Sequence, residues 1–422
     1  MPRVGPETPT REARTMTTSA TPEITLQDEV DAFLTPGDPR RAEARADPYP
    51  LYRRMRETDE FFRAGNGIHL AVSYASVNAM LRDHRWGRDP FAPDDELQLS
   101  QRIFMRNVVF RDAPDHTRLR RQVSSSFTPR MILRWREQVA AIVVERFQPL
   151  REVAEFDFLH DFAVHLPVEA ITTMIGVPAD RRQDFIEWAE MMIRIMEPPA
   201  HTEDMLAEAD QLAGAIVEFF GAAIEERRRE PQDDLLSTFL EGDRLSSDEV
   251  ISMCLILMVG GFETTANMLN NGMRLLIEHD DQYDMLRADP ELVPVAVEEF
   301  LRYDAPPRAS LMRVARESFD FYGHEIHEGD RAFALLGAAD RDPRTFAEAD
   351  TFDIRRDPNP HVAFGLGTHF CMGAHLARLE VREAFNHIVR LPTKLERAGT
   401  GPLDWKDSFN IRGANSMPVR WT

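Results

Sequence analysis

Cysteine is nearly missing from these 422 residues. Cys254 and Cys371 are the two present, too few for a disulfide scaffold or a cysteine-rich zinc site, and their scarcity fits a reducing compartment. Long apolar runs are missing as well. The longest uncharged apolar stretch, residues 250–262, falls short of the roughly 20 residues a helix needs to cross a bilayer. No N-terminal segment has the apolar core of a signal peptide. Positive charge is in deficit: 50 basic and 71 acidic side chains leave a net charge of −21, which argues against nucleic acid or an anionic membrane as main partner. No internal repeat and no linker divides the chain. What remains is the expectation of a soluble, cytoplasmic protein whose 43% hydrophobic content builds one large core.

Residues 1–23 are rich in Pro, Thr, Ser, Glu and Arg and carry scarcely any large apolar side chain, which predicts a flexible tail ahead of a single domain over 24–422. Asp47-Pro48-Tyr49-Pro50 opens a helix with Leu51, Tyr52 and Met55 among its apolar positions. Gly65-Asn66-Gly67 turns into a strand over 68–72, and a helix Tyr74–Arg82 follows. With residues 319–336 these form a small β-rich region. Helical periodicity dominates elsewhere, so the fold class is mainly α with a small β region. Residues 84–110 mix turns, charges and Trp86, Phe91, Phe104 and Phe110. Residues 190–206 break two helices at Pro198-Pro199 and are rich in methionine, which suits either plain core packing with a loop or an adaptable lid over a cavity.

A helix starting after Ser246 is marked by a capping box, Ser246 with Glu249, and its pattern runs to about His279, roughly 50 Å of helix. Gly260 and Gly261 lie in its middle, where each costs about 1 kcal/mol relative to alanine, so something bulky is expected against that backbone. Glu263 and Thr264 come next. They read either as a carboxylate paired elsewhere and a threonine bonded back to the Gly260 carbonyl, or as an acid–alcohol pair able to move protons.

From His361 to Glu380 the chain reads H-V-A-F-G-L-G-T-H-F-C-M-G-A-H-L-A-R-L-E. Gly365, Gly367 and Gly373 loosen the backbone around Cys371, and an amphipathic helix follows at once. Amides at that helix start favour a thiolate. The pattern F-G-x-G-x-H-x-C-x-G, complete from Phe364 to Gly373, resembles that of the cytochrome P-450 superfamily of haem-thiolate monooxygenases. The resemblance extends from residue 47 to the C-terminus. It implies a cytochrome P-450 fold, α+β, with one large haem-binding domain. Cys371 is then the axial ligand of haem iron. Phe364 shields the sulfur and His369 bonds a propionate, with Gly373 in the same haem-binding loop.

The same resemblance assigns the central-helix stretch G-G-F-E-T. Gly260 and Gly261 make room for dioxygen, Thr264 gives it a hydrogen bond, and Glu263 relays protons. His116 and Arg120, in D-A-P-D-H-T-R-L-R, and Arg313, in L-M-R-V-A, are implied propionate clamps, with Ala113 standing where the family more usually has proline. Glu299 and Arg302 form the structural E-x-x-R pair, with Arg355 as third member. Leu257, Gly261, Ala309, Leu311 and Asn410 are implied pocket positions. The implied cofactor is haem b, with O2 as co-substrate and electrons from NAD(P)H through a ferredoxin or flavodoxin and its reductase. Seven arginines and two aspartates between Arg111 and Arg136 suit an acidic electron carrier. The function read is insertion of one oxygen atom into a small apolar organic substrate. A peroxide-driven oxygenase and a non-catalytic haem sensor are the alternatives, and the Glu263–Thr264 pair argues against both.

Overall fold

The computed structural model describes residues 24–35, 37–88, 97–196 and 202–422. The expected tail over 1–23, Phe91 and Pro198-Pro199 lie outside the described residues.

The helix Ser247–Glu278 runs through the middle of the molecule. Ser246 caps it as the sequence predicts. Its hydroxyl accepts the Glu249 amide at 3.2 Å, and the Glu249 carboxylate accepts the Ser246 amide at 2.9 Å. Two amides that the first turn leaves without intrahelical partners are satisfied this way. Helices His165–Ile175, Arg182–Met196, Glu203–Arg229, Val293–Asp304 and Ala374–Ile388 pack around it. Among the described residues it is the one helix long and apolar enough to cross a bilayer, yet most of its apolar window is buried inside the protein. Its hydrophobicity is that of a core element covered by neighbours. Gly272 shows how close the cover is. A Cβ there would lie 2.9 Å from Phe300 and 3.0 Å from Phe385, one on each of two flanking helices. The first is shorter than real side chains show and the second is very tight, so the three helices meet where a methyl group is missing.

The small β region is a five-stranded sheet in the order Phe61–Arg63, His69–Ala71, Arg331–Ala334, Arg313–Ala315, Trp86–Gly87. One pair, His69–Ala71 with Arg331–Ala334, is parallel and the others are antiparallel. The helix Tyr74–Arg82 has the predicted bounds, and the strand expected over 68–72 shortens to His69–Ala71. Trp86–Gly87 hides in the turn-rich 84–110 segment, because two residues carry no alternation to read. A second sheet joins Glu155–Asp157, Pro418–Trp421 and Leu395–Arg397.

Glu299 and Arg302 sit one turn apart on Val293–Asp304, both side chains fully buried, and meet through two bonds of 2.8 Å. Arg302 spends its remaining N–H groups on the carbonyls of Asp340, Ala349 and Thr351 at 2.9, 2.7 and 3.0 Å. The third member of this cluster is Arg356 and not Arg355. Arg356 Nε lies 3.2 Å from Glu299 Oε2, whereas Arg355 is exposed beside Asp353 at 3.7 Å. Adjacent residues in this turn point in different directions, and an irregular turn has no periodicity from which to choose between them.

Candidate active site

Cys371 is held by a loop closed on itself. Its amide donates to the Phe364 carbonyl at 3.0 Å, and the Gly365 amide donates to the Val362 carbonyl at 2.7 Å. Gly365 and Gly367 have φ of +67° and +71°, a region glycine enters without strain, and a Cβ at Gly367 would also strike the Leu81 carbonyl oxygen at 2.6 Å. Gly373 needs no such freedom. It caps the helix Ala374–Ile388 and faces the sulfur. Arg120 grips the loop from outside, donating to the carbonyls of Thr368 and Phe370 at 2.8 and 2.7 Å. Its guanidinium therefore positions the cysteine loop and is not among the cavity-lining groups.

The sulfur opens into a cavity of about 370 Å³, which makes it accessible although it lies deep in the protein. Burial pushes the thiol up, and the Gly373 amide, Arg120, Arg378 and the Ala374 amide pull it back in part. The helix-start argument made from the sequence is thus outweighed by desolvation in the protein alone. A metal ion at the sulfur reverses the balance, because a coordinating thiol gives up its proton.

The opposite wall is the central helix. Leu257, Gly260, Gly261, Glu263 and Thr264 all line the cavity, as do Ala309, Leu311 and Asn410. Gly260 is exposed to this space in mid-helix, and a Cβ there would meet nothing within 4 Å. The Thr264 hydroxyl donates to the Gly260 carbonyl at 2.6 Å, and Glu263 pairs with Lys406 at 2.7 Å. Both structural alternatives read from the sequence are therefore present in the geometry, and both side chains nevertheless face the cavity. Glu380, on the helix that follows the cysteine loop, also lines it, with burial pushing its carboxyl up to about 8 against a hydrogen bond from Thr265.

One end of the cavity is cationic. Arg88, Arg313 and His369 line it, and the His116 ring lies 4.3 Å from that of His369 behind the lining. Arg88 was not found from the sequence. The sheet register brings it in, since Trp86 pairs with Ala315 and Gly87 with Val314, so the next residue falls opposite Arg313. Burial pushes Arg313 down to about 10 and Arg88 well below its ordinary value. His369 falls to about 3 through burial, with Arg88 and Arg313 adding repulsion. The facing carboxylate, Asp112, stands 3.8 Å from His369 and is already engaged by Arg316 and the Arg88 amide. Arg88 Nε, Arg313 Nε and His116 Nε2 have no hydrogen-bond partner. Each guanidinium donates to one backbone carbonyl, Arg88 to Leu311 and Arg313 to Trp86, both at 3.3 Å, and two such charges in a desolvated pocket call for anionic partners. The two propionates of haem fit that demand, as the cavity and the sulfur fit its ring and iron.

Glu298, also missed in the sequence, ties the scaffold together. It accepts from Arg378 at 2.7 Å and Arg382 at 2.8 Å on the helix Ala374–Ile388, and pairs with His361 at 3.0 Å at the start of the loop. Burial works against its charge, but His361 and Arg378 hold the carboxyl down at about 2 from an ordinary 4.5. A depressed folded value means the charge adds stability that is complete above about 4.5 and is lost as pH falls toward 2. The gap corresponds to about 3 kcal/mol. In Glu298→Gln this portion of the acid-side loss should vanish, measured as unfolding free energy against pH.

A sequence model described as cytochrome P450 matches residues 53–391. Cytochrome P450 107B1 of Saccharopolyspora erythraea is 36% identical, over 96% of this chain and 99% of its own. Vitamin D(3) 25-hydroxylase of Pseudonocardia autotrophica is 34% identical, over 88% of this chain and 93% of its own. Among solved structures, P450BioI in complex with a hexadec-9Z-enoic acid-ligated acyl carrier protein superimposes with a TM-score of 0.85 at 33% identity, covering 90% of this chain and 99% of that one.

Proposed function

The chain belongs to the cytochrome P450 family, and from that premise we propose how its own residues divide the work. It is a haem-thiolate monooxygenase using haem b, O2 and NAD(P)H-derived electrons delivered by redox partners, and it acts on organic substrates. Haem supplies the iron at which dioxygen is activated and from which one oxygen atom passes to the substrate. The balance is R–H + O2 + NAD(P)H + H⁺ → R–OH + H2O + NAD(P)⁺.

The observation that carries the assignment is that Cys371 and the Glu263–Thr264 pair line one cavity from opposite sides, the sulfur from the loop ahead of the helix Ala374–Ile388 and the pair from the central helix. Cys371 ligates the iron. Arg88, Arg313 and His369 hold the propionates, with His116 behind them. Arg120 fixes the cysteine loop, and Phe364, under the guanidinium of Arg378 at 4.5 Å, covers the sulfur's side. Thr264 releases the Gly260 carbonyl to hold dioxygen, and Glu263 brings protons inward. Leu257, Gly261, Ala309 and Leu311 give the substrate an apolar wall, and Asn410 its polar contact. The relatives named for vitamin D(3) hydroxylation and for an acyl chain on a carrier protein support an extended apolar substrate that is hydroxylated. Thr264→Val should lower product per NAD(P)H consumed by about tenfold or more and raise peroxide release. Unchanged coupling would remove Thr264 from the role.

The electron donor we propose is an acidic ferredoxin or flavodoxin with its reductase, and the two free thiols support a cytoplasmic setting. Arg121 and Arg130 are exposed, and Phe370, next to Cys371, is 37% exposed. Arg118, in the same cluster, is neutralised by Glu249. Arg121→Glu and Arg130→Glu should therefore slow reduction at low salt by about tenfold, and Arg118→Glu less. Rates that ignore both substitutions and ionic strength would exclude docking on this face.

A further inference from the structure

Of the 50 basic residues only two, Lys394 and Lys406, are lysines. One of these two pairs with a residue that lines the cavity. Lys406 Nζ lies 2.7 Å from Glu263 Oε1, and its side chain keeps 26% of its surface against 14% for the glutamate. The ammonium thus stands between solvent and a cavity-lining carboxylate.

Its place is built and not incidental. The Lys406 amide donates to the Gly413 carbonyl at 3.0 Å, and Trp405 pairs with Ala414. Arg412 stacks on Trp405 at 3.9 Å, donates to Asp304 at 2.5 Å, and donates to the carbonyls of Arg45 and Ala46 at 2.7 and 2.9 Å. Gly413 lets this hairpin lie on the central helix, since any Cβ there would collide with the Asn267 side chain. Asn267 in turn donates to the Glu263 carbonyl at 2.8 Å. The hairpin is clamped onto the turn that carries the acid.

An arginine would pair with Glu263 as well, and this chain uses arginine almost everywhere. The difference is chemical. A guanidinium does not release its proton inside a protein, whereas an ammonium can. We propose that Lys406 is the solvent-side proton donor to Glu263, a positioning residue that acts through that carboxylate. The inference rests on the reading of Glu263 as the inward proton carrier. The ammonium proton passes to the carboxylate, leaving a neutral amine and a neutral acid. Glu263 hands the proton on toward Thr264 and returns to its anion. The amine is reprotonated from solvent. Two passes match the two protons consumed with two electrons per turnover.

The test uses the haem-loaded full chain with a ferredoxin and reductase and no added substrate, and reads hydrogen peroxide formed per NAD(P)H oxidised. Lys406→Ala and Lys406→Arg should both raise that ratio by about tenfold. Ethylamine should restore Lys406→Ala, and ethylguanidine should not. Restoration by both, or by neither, overturns proton donation, as does a Lys406→Arg chain that couples like wild type. In haem-free or loaded protein labelled with 13Cε-lysine, two side-chain signals are expected, and Glu263→Gln should move one of them. If neither moves, the pair does not exist in solution and the inference falls. Glu263→Gln separates the two levels of the argument. Wild-type coupling in that variant ends the reading of Glu263 itself, whereas uncoupling there with a normal Lys406→Arg ends the lysine proposal alone.

Discussion

Cys371→Ser is expected to take up haem and yet return a reduced carbon-monoxide spectrum without the thiolate signature, with substrate-dependent NAD(P)H oxidation at background. The reason lies in the groups around the sulfur. The amides of Gly373 and Ala374, with Arg120, favour negative charge at this atom, but burial opposes them and wins for the thiol alone. A metal ion closes that gap for a thiol, whose ordinary value is near 9, and not for an alkyl hydroxyl, which is far harder to ionise. Haem should still bind, because the proposed propionate holders, Arg88, Arg313 and His369, line the cavity independently of the sulfur. Cys254 is the internal control. It is buried in the central helix, its thiol pushed far up by desolvation, and it lines no part of the cavity. Cys254→Ala should leave the spectrum unchanged. A thiolate signature that survives in Cys371→Ser would remove the sulfur from the iron.

The order of elements around this cysteine was legible in the sequence because each carries a local signal. Gly365 and Gly367 mark left-handed backbone, Ser246 with Glu249 marks a helix start, and the uncharged 250–262 run marks a buried helix. What stayed hidden depends on contacts between segments far apart. Arg88 reaches the cavity through a two-residue strand. Lys406 reaches Glu263 across 143 residues, on a hairpin whose bridges are single residues. Glu298 sits beside Glu299 in the chain; the E-x-x-R spacing assigns Glu299 to Arg302, but nothing local shows that Glu298 faces Arg378, 80 residues on. Arg120 carried a signal that proved incomplete. Its spacing from His116 puts both on one helix face, but spacing cannot tell a ligand clamp from a loop clamp.

Arg302→Met should cost about 3–5 kcal/mol, enough to leave little folded, haem-loaded protein. The substitution strands Glu299, whose side chain has no solvent access, and frees three carbonyls on the 340–351 segment. Arg356, Asn359 and the Asp353 amide still reach the carboxylate at 3.2, 3.1 and 3.0 Å, so the charge is not wholly abandoned. Arg356→Ala should therefore destabilise measurably but less. Arg355→Ala, at an exposed pair, should change stability by less than about 0.5 kcal/mol. Denaturant midpoints for the three variants should rank 302, then 356, then 355. Equal losses at 355 and 356 would show that the turn is arranged differently. Replacing Glu299 and Arg302 together with leucine and methionine should cost less than Arg302→Met alone, because no buried charge is orphaned.

Gly272 touches neither the sulfur nor the Thr264 hydroxyl, yet it stands where the helices behind the two meet. It lies eight residues beyond Thr264, about 12 Å along the axis, where the central helix meets Phe385 of the helix that follows the cysteine loop. A single methyl group inserted there, as in Gly272→Ala, should act as a wedge between the two helices. The walls are then expected to part toward the cavity and to loosen the grip on a planar molecule that the substitution never touches.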